Sequence, residues 1–244
     1  MPEPRRTAVE IAVQDVAGVR VALAGGADRV ELCVALGLGG LTPSAGLVRA
    51  AVEEAAEESR AGFVHVLVRP RGGGFVYDSD ELDTIAADIR FARETGADGV
   101  VIGALDEVGR VDREAVARFV AEAGGLDVTF HRAFDTLPDP LGAADALAEL
   151  GVARILTSGG AARSVDGIDG LRALAQRVGG RMQVMAGGGV RVRDVHELIA
   201  AGVDAVHLSA RTSVSGAPSG PGGGDVAYDI TDPITVREAV AAAR

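Results

Sequence analysis

The chain has no lysine and no tryptophan, and it has one cysteine in 244 residues. All 24 basic residues are therefore arginine. Without lysine, no Schiff base to a side-chain amine can form, and no ammonium group can shuttle a proton. Recognition of an anion falls instead to Arg forks, backbone N–H groups and helix N-termini. A lone Cys33 closes no internal disulfide, which fits a reducing compartment. Aromatic residues make up 3% of the chain against 48% hydrophobic overall. The core must then be Val, Leu, Ile and Ala, the filling of helix-clad parallel sheets. The N-terminal MPEPRRTAVEIAV lacks the apolar run of a signal peptide or membrane span, so the expected location is the cytoplasm. A basic stripe is also missing. At a net charge of −11, nucleic acid and anionic lipid are not expected partners.

What is present is a recurring junction. Gly26-Ala27-Asp28-Arg29-Val30-Glu31-Leu32, Gly96-Ala97-Asp98-Gly99-Val100-Val101-Ile102, Gly151-Val152-Ala153-Arg154-Ile155-Leu156 and Gly202-Val203-Asp204-Ala205-Val206-His207-Leu208 share one form. In each, a Gly closes a helix, a tight connection follows, and a β-branched run begins. Counting outward gives strand candidates near 8–13, 28–33, 63–69, 99–104, 127–132, 153–158, 181–186 and 205–210. Helical patterns fill the gaps, as over Ser79–Thr95 and Asp112–Ala123. Eight strand–helix units with right-handed crossovers close into a single (β/α)₈ TIM-type barrel spanning 1–244. An open doubly wound sheet is the weaker alternative, because no G-x-G-x-x-G opens a helix after the first strand. The Gly/Ser/Pro-rich stretch 213–225 reads as a flexible loop, either a lid or a tether to the last helix.

Strand parity sorts the side chains. Val9, Ile11, Val13, Val30, Leu32, Val64, Val66, Val68, Val128, Phe130, Val206 and Leu208 face the helices. Glu10 and Ala12, Glu31 and Cys33, His65 and Arg69, Thr129 and His131, and His207 and Ser209 point inward. Lumens are usually packed with branched apolar groups, and burying so many polar ones is costly without a purpose. The plainer alternative is a self-satisfied network of Glu–Arg and His–Glu pairs that only rigidifies the core. His65 lies four residues below Arg69 and reads as part of the floor. Cys33, Arg69, His131 and Ser209 should share the top. With the inward histidines at different depths, a tri-histidine zinc site is not expected. Glu10 or Glu31 is the candidate general base and His131 the candidate acid.

The rim carries glycine-rich turns, Ser158-Gly159-Gly160 after strand six and Gly187-Gly188-Gly189 after strand seven, where phosphate-binding barrels hold their anion. Candidate ligand- or anion-binding residues are therefore Arg69, Arg71, Arg132, Asp135, Ser158, Gly187, Gly188 and Ser209. The expected ligand on this reading is a small anionic or phosphorylated metabolite.

The segments GADRVELC (26–33), GGLTPS (39–44), RPRGG (69–73), GADGVVIGAL (96–105), VTFHRAFD (128–135) and LTSGG (156–160) resemble the CutC copper-homeostasis family over most of the chain. The resemblance implies a (β/α)₈ barrel, cytoplasmic copper handling and a homo-oligomer. It also implies Cu(I) at Cys33, with help from His131 or Met185, since Cu(I) prefers thiolate and thioether ligands. Two departures stand out. The family's E-x-C at the end of strand one is Glu10-Ile11-Ala12 here, which leaves one thiol in place of two. Its R-G-G-D-F is Arg71-Gly72-Gly73-Gly74-Phe75, which lacks the carboxylate.

Overall fold

The computed structural model describes residues 6–216, 220–221 and 227–244. Eight parallel strands form a closed barrel in sequence order: β1 (Ala8–Val13), β2 (Arg29–Leu32), β3 (Val64–Leu67), β4 (Gly99–Ile102), β5 (Asp127–Phe130), β6 (Arg154–Thr157), β7 (Gln183–Gly187) and β8 (Ala205–Leu208). β8 closes on β1 with Glu10 beside His207. The helices between them are α1 (Val16–Gly25), α2 (Ala45–Glu57), α3 (Ser79–Thr95), α4 (Arg113–Ala123), α5 (Pro140–Glu149), α6 (Ile168–Val178) and α7 (Val195–Ala200), with α8 (Pro233–Ala242) after β8. None of the described helices is long and apolar enough to cross a membrane.

The repeated junction has a physical cause. Gly26, Gly96, Gly151 and Gly202 all hold positive φ, the left-handed conformation that ends a helix at little cost without a Cβ. The aspartate two residues on secures the start of the neighbouring strand. Asp28 accepts the N–H of Val9, Asp98 accepts those of Gly62, Phe63 and Val64, and Asp204 accepts that of Val184. The Gly-Ala-Asp spacing thus closes one helix and pins one strand within three residues.

Parity holds around the barrel. Val9, Ile11, Val13, Val30, Leu32, Val64, Val66, Val68, Val128, Phe130, Val206 and Leu208 all lie in one large cluster between strands and helices. The lumen has two small apolar clusters of its own, Cys33–Leu67–Val101 and Leu156–Met185–Ala205.

Two expectations are corrected. The strands are shorter than the apolar runs, so Cys33, Arg69, His131, Ser158 and Ser209 stand just beyond their ends. Ser213–Ser215, expected within a loop, belongs instead to β9 (Arg211–Ser215), which pairs antiparallel with β10 (Ala227–Thr231). Of the remainder of that stretch, residues 217–219 and 222–225 lie outside the described residues.

Candidate active site at the barrel mouth

The inward side chains form tiers along the barrel axis. The lowest is structural. Arg154 donates to Gln183 Oε1 (2.8 Å), Thr129 Oγ1 (2.9 Å) and Asp127 Oδ2 (3.2 Å), so its charge is both hydrogen-bonded and paired. Above it, Arg29 Nε donates to Glu10 Oε2 at 2.5 Å and Arg29 Nη2 reaches Met185 Sδ at 3.2 Å. His65 lies across Gly99, where a Cβ would fall 2.3 Å from its Nδ1. Burial pushes His65 down to about 4, so it stays neutral.

Glu10 is fully buried. Burial alone would raise its pKa, but the Arg29 charge and the hydrogen bond from His207 hold the carboxyl far below the usual range. A permanently ionised carboxylate with both oxygens engaged is a poor general base. Glu10, one of the two candidate bases, has one oxygen on Arg29 and the other on His207.

His207 Nδ1 lies 2.7 Å from Glu10 Oε1, and its Nε2 lies 3.8 Å from Glu31 Oε2. The ionised Glu10 fixes the Nδ1–H tautomer and turns Nε2 toward Glu31. Burial pushes Glu31 up to about 7, with the charge on Glu10 adding to the rise against the opposing pull of His207. Burial alone would lower the His207 pKa, but the Glu31 and Glu10 carboxylates raise it. The charge of each group thus raises or lowers the proton affinity of the other, and the pair titrates as a unit.

Both belong to a cavity of about 140 Å³ at the mouth, walled on its apolar side by Leu36, Leu67, Phe75 and Leu156. Its polar side adds Arg69, His131 and Arg132. His131 lies on Gly103, where a Cβ would fall 2.3 Å from its Cε1, and its ring is tilted against Phe75 at 4.9 Å. Its Nδ1 accepts the Ala133 N–H at 3.1 Å, so the ring proton sits on Nε2, which is buried and without a partner. Burial, reinforced by the Arg69 charge, pushes His131 down to about 3. A proton-donating imidazolium is thus not available there; His131 offers a neutral N–H in place of the acid expected.

Arg69 ties three loops together. Nη1 donates to Leu38 and Gly40 carbonyls and Nη2 to Gly73, while Nε is buried and unpartnered. Among the described residues, three arginines are buried. Arg29 has Glu10 and Arg154 has Asp127, whereas Arg69 has no carboxylate among the described residues.

Several rim residues are not brought to the cavity. Arg71 is held by Glu81, which also completes the N-terminal cap of α3 at Asp78, and by the carbonyls of Gly74 and Val76. Asp135 accepts from Thr157 Oγ1, the Ser158 N–H and Arg132 Nε, which makes it a brace for the end of β6. Ser158 is spent on Asp135 and the Ala161 carbonyl. Gly187 packs against Leu156 and His207; Gly188 lies beneath Arg132 and Ser158, and its carbonyl accepts from Ser164. The phosphate turn expected there is filled by the protein's own side chains. Ser209 is exposed and faces a crevice with Gln14 and Asp15.

Residues 7–212 match the sequence profile of the CutC family. The chain belongs to the CutC family. The CutC protein of Xylella fastidiosa (strain 9a5c) is 42% identical over 239 residues, covering 95% of this chain and 87% of that protein. The human copper homeostasis protein cutC homolog is 40% identical over 206 residues, covering 84% and 74% respectively. The crystal structure of CutC from Streptococcus agalactiae superposes with a TM-score of 0.79 at 32% identity, covering 83% of this chain and 98% of that one. Family membership makes this a copper-homeostasis protein at the level of the family.

The Cu(I) expectation centres on the Cys33 thiol. The thiol is fully buried against Leu36, Leu67 and Val101. Burial, with the Glu31 charge adding to it, raises its pKa far above the ordinary thiol range, which opposes a thiolate. Met185, the expected thioether ligand, is packed with Leu156 and Ala205, and its sulfur accepts from Arg29 Nη2.

Sequence reasoning missed Arg29, Arg154 and Phe75, and it counted His207 as inward without giving it a role. Arg29 shares parity with Glu31, and Arg154 with Leu156, so the period-two rule contained that signal. Phe75 comes from a loop, where periodicity says nothing.

Proposed function

We propose that this CutC protein is an acid–base enzyme acting on a small anionic metabolite at the barrel mouth, with Glu31 as the proton-accepting group and His207 as its partner. The observation that carries the reading is the Glu10–His207–Glu31 chain. One carboxylate is locked in its charged form, an imidazole is held by it in one tautomer, and the second carboxylate is lifted to about 7 beside a cavity. Neighbouring groups with divergent proton affinities mark acid–base sites, and a base poised near neutrality transfers protons most effectively. Arg69 supplies positive charge to the same cavity without a carboxylate to cancel it, which favours an anion.

The competing reading is weak Cu(I) binding through Cys33. The raised thiol pKa, the apolar contacts of the sulfur and the Arg29 claim on Met185 all weigh against it. Arg71, Ser158 and the Gly187–Gly188 turn lie away from the cavity lining and are spent on internal contacts, so the phosphorylated form of the substrate is the less favoured one.

The test is to follow the Glu31 carboxyl by ¹³C NMR as pH is raised, and to incubate the protein with a pool of small metabolites. A midpoint near 7 that moves in His207→Asn, with a compound consumed by wild type and spared by Glu31→Gln, supports the reading. Titration in the ordinary carboxylate range with no Glu31-dependent turnover refutes it.

A further inference from the structure

We propose that the cavity is built for an enolisable carbonyl compound whose carbonyl oxygen sits against the Nε–H of Arg69 and the Nε2–H of His131. The inference rests on the acid–base reading of Glu31 and adds the substrate class.

Two N–H donors in the cavity wall lack an acceptor of good geometry among the described residues. Buried N–H groups without partners are rare and costly in folded proteins. Arg69 and His131 are each more than nine-tenths buried and both line this one cavity; among the described residues the His131 Nε2–H and the Arg69 Nε–H have no hydrogen bond of good geometry, although the Tyr77 hydroxyl also interacts with the Arg69 guanidinium. Neither is an accident of loose packing. The remaining polar atoms of Arg69 are fixed by three carbonyls, and His131 is fixed by the Ala133 N–H and by Gly103 beneath it. Phe75 lies against both, 5.2 Å from the Arg69 guanidinium carbon to its ring centroid and 4.9 Å from the His131 ring. Both groups donate and neither can accept, so the atom that satisfies them is an oxygen with lone pairs.

Charge narrows the class further. A buried cation is ordinarily paired, and Arg69 is the buried arginine that lacks a carboxylate. An oxygen that becomes negative during reaction supplies the missing counter-charge where it is needed most. In the step itself, the Glu31 carboxylate takes the proton from the carbon next to the carbonyl. The C–H electron pair becomes the C=C bond of the enolate, and the carbonyl π pair moves onto the oxygen held by Arg69 and His131. Where the neighbouring carbon carries a hydroxyl, its O–H proton passes to the enolate oxygen and Glu31 returns its proton to the former carbonyl carbon, which completes an isomerisation. Electrons and atoms balance without an oxidant or reductant. A neutral histidine suits this role, since its N–H polarises the oxygen without being a charged acid.

Oxalate, a planar dianion resembling an enediolate, is the probe, and tetrahedral inorganic phosphate is the comparison. Titration of the whole protein with oxalate, followed by calorimetry and by the ¹H–¹⁵N signal of the His131 ring, should show saturable binding, tighter than phosphate, with that signal shifting. His131→Leu should weaken oxalate by about tenfold or more, the worth of a hydrogen bond to a charged group, and His131→Gln should restore part of it. Arg69→Met should weaken it too; if losing three loop contacts unfolds that variant, the His131 pair and the wild-type signal decide alone. Absent oxalate binding, or equal binding by wild type and His131→Leu with an unmoved ring signal, overturns the proposal. Failure of the acid–base reading looks different: oxalate binding follows His131 while Glu31 titrates as an ordinary carboxylate, which overturns the proton-abstraction step and leaves an oxygen-binding subsite without a base.

Discussion

Glu31→Gln should make the protein more stable, and by more at pH 8 than at pH 5. The native carboxyl titrates at about 7 against an ordinary value of 4.5. A native pKa above the unfolded one means that the folded state binds the extra proton between those two values. The group is therefore harmless below the unfolded value and costs stability as pH rises through the native value, the reverse of a salt-bridged carboxylate. At about 1.36 kcal/mol per pH unit, the full interval corresponds to ~3 kcal/mol at pH 8. His207 offsets part of this, because its own raised affinity for a proton depends on the charge of Glu31. Removing the charge forfeits that contribution, which leaves a net gain of about 1–2 kcal/mol. Gln keeps the shape and a hydrogen-bonding end, so no cavity term intrudes. At this chain length such a gain raises the melting temperature by about 2–8 °C. Urea unfolding of wild type and variant at pH 5, 6, 7 and 8 measures it. A gain that grows with pH is expected. A variant less stable than wild type at pH 8, or a difference that ignores pH, refutes the account of Glu31 as a desolvated carboxylate.

Glu10→Gln should act in the opposite sense. It leaves Arg29 buried without its counter-charge, at a cost of roughly 3–5 kcal/mol near neutrality. Because the native Glu10 pKa is depressed, that contribution is present above pH 4.5 and disappears as pH falls through the native value, so the loss seen in urea unfolding should shrink in acid. Gly103→Ala places a Cβ 2.3 Å from His131 Cε1; the ring must move, so unfolding should show a loss of about 1–3 kcal/mol and oxalate binding should weaken. Cys33→Ala should leave competition with a Cu(I) chelator unchanged, and a difference between the two proteins in that titration would reinstate the thiol as a ligand.

The barrel was legible because its signals are local and repeated. Gly26, Gly96, Gly151 and Gly202 mark helix ends by the one conformation they adopt freely, and the β-branched runs after them can be strands and little else. Parity followed from the same runs, which is why Glu31 and His131 could be placed inward at once. What parity cannot convey is partnership. Glu10 and Glu31 are equivalent by alternation, but Glu10 lies beside Arg29 on the next strand and meets His207 across the barrel seam, whereas Glu31 has no arginine partner among the described residues. Arg71 and Arg69 are two residues apart in one loop, yet Arg71 meets the capping residue of α3 and Arg69 turns inward. The Gly187–Gly188 turn has the composition of an anion site, and only the placement of Arg132, Ser158 and Ser164 shows that it is filled. These are contacts between segments far apart in sequence, which no local period encodes.

The distribution of satisfied and unsatisfied groups along the barrel axis separates structure from chemistry. At the floor every charge has its complement, Arg154 with Asp127 and Arg29 with Glu10, which is what a rigidifying network requires. Were the polar lumen only that, the pattern would continue upward. It stops at His207. Above that residue lie a carboxylate held partly protonated, and a histidine N–H and an arginine that have no acceptor and no carboxylate, respectively, among the described residues, all around a single cavity. Each is a local cost that the closed pairs beneath do not need and cannot relieve. Groups that a protein could pair internally but leaves open are those that something from outside completes, and the open groups here share one side of the barrel, the C-terminal mouth where (β/α)₈ enzymes hold their substrates. Cys33 stands apart from these open groups: it is wrapped in leucine and valine, within the packing around the site.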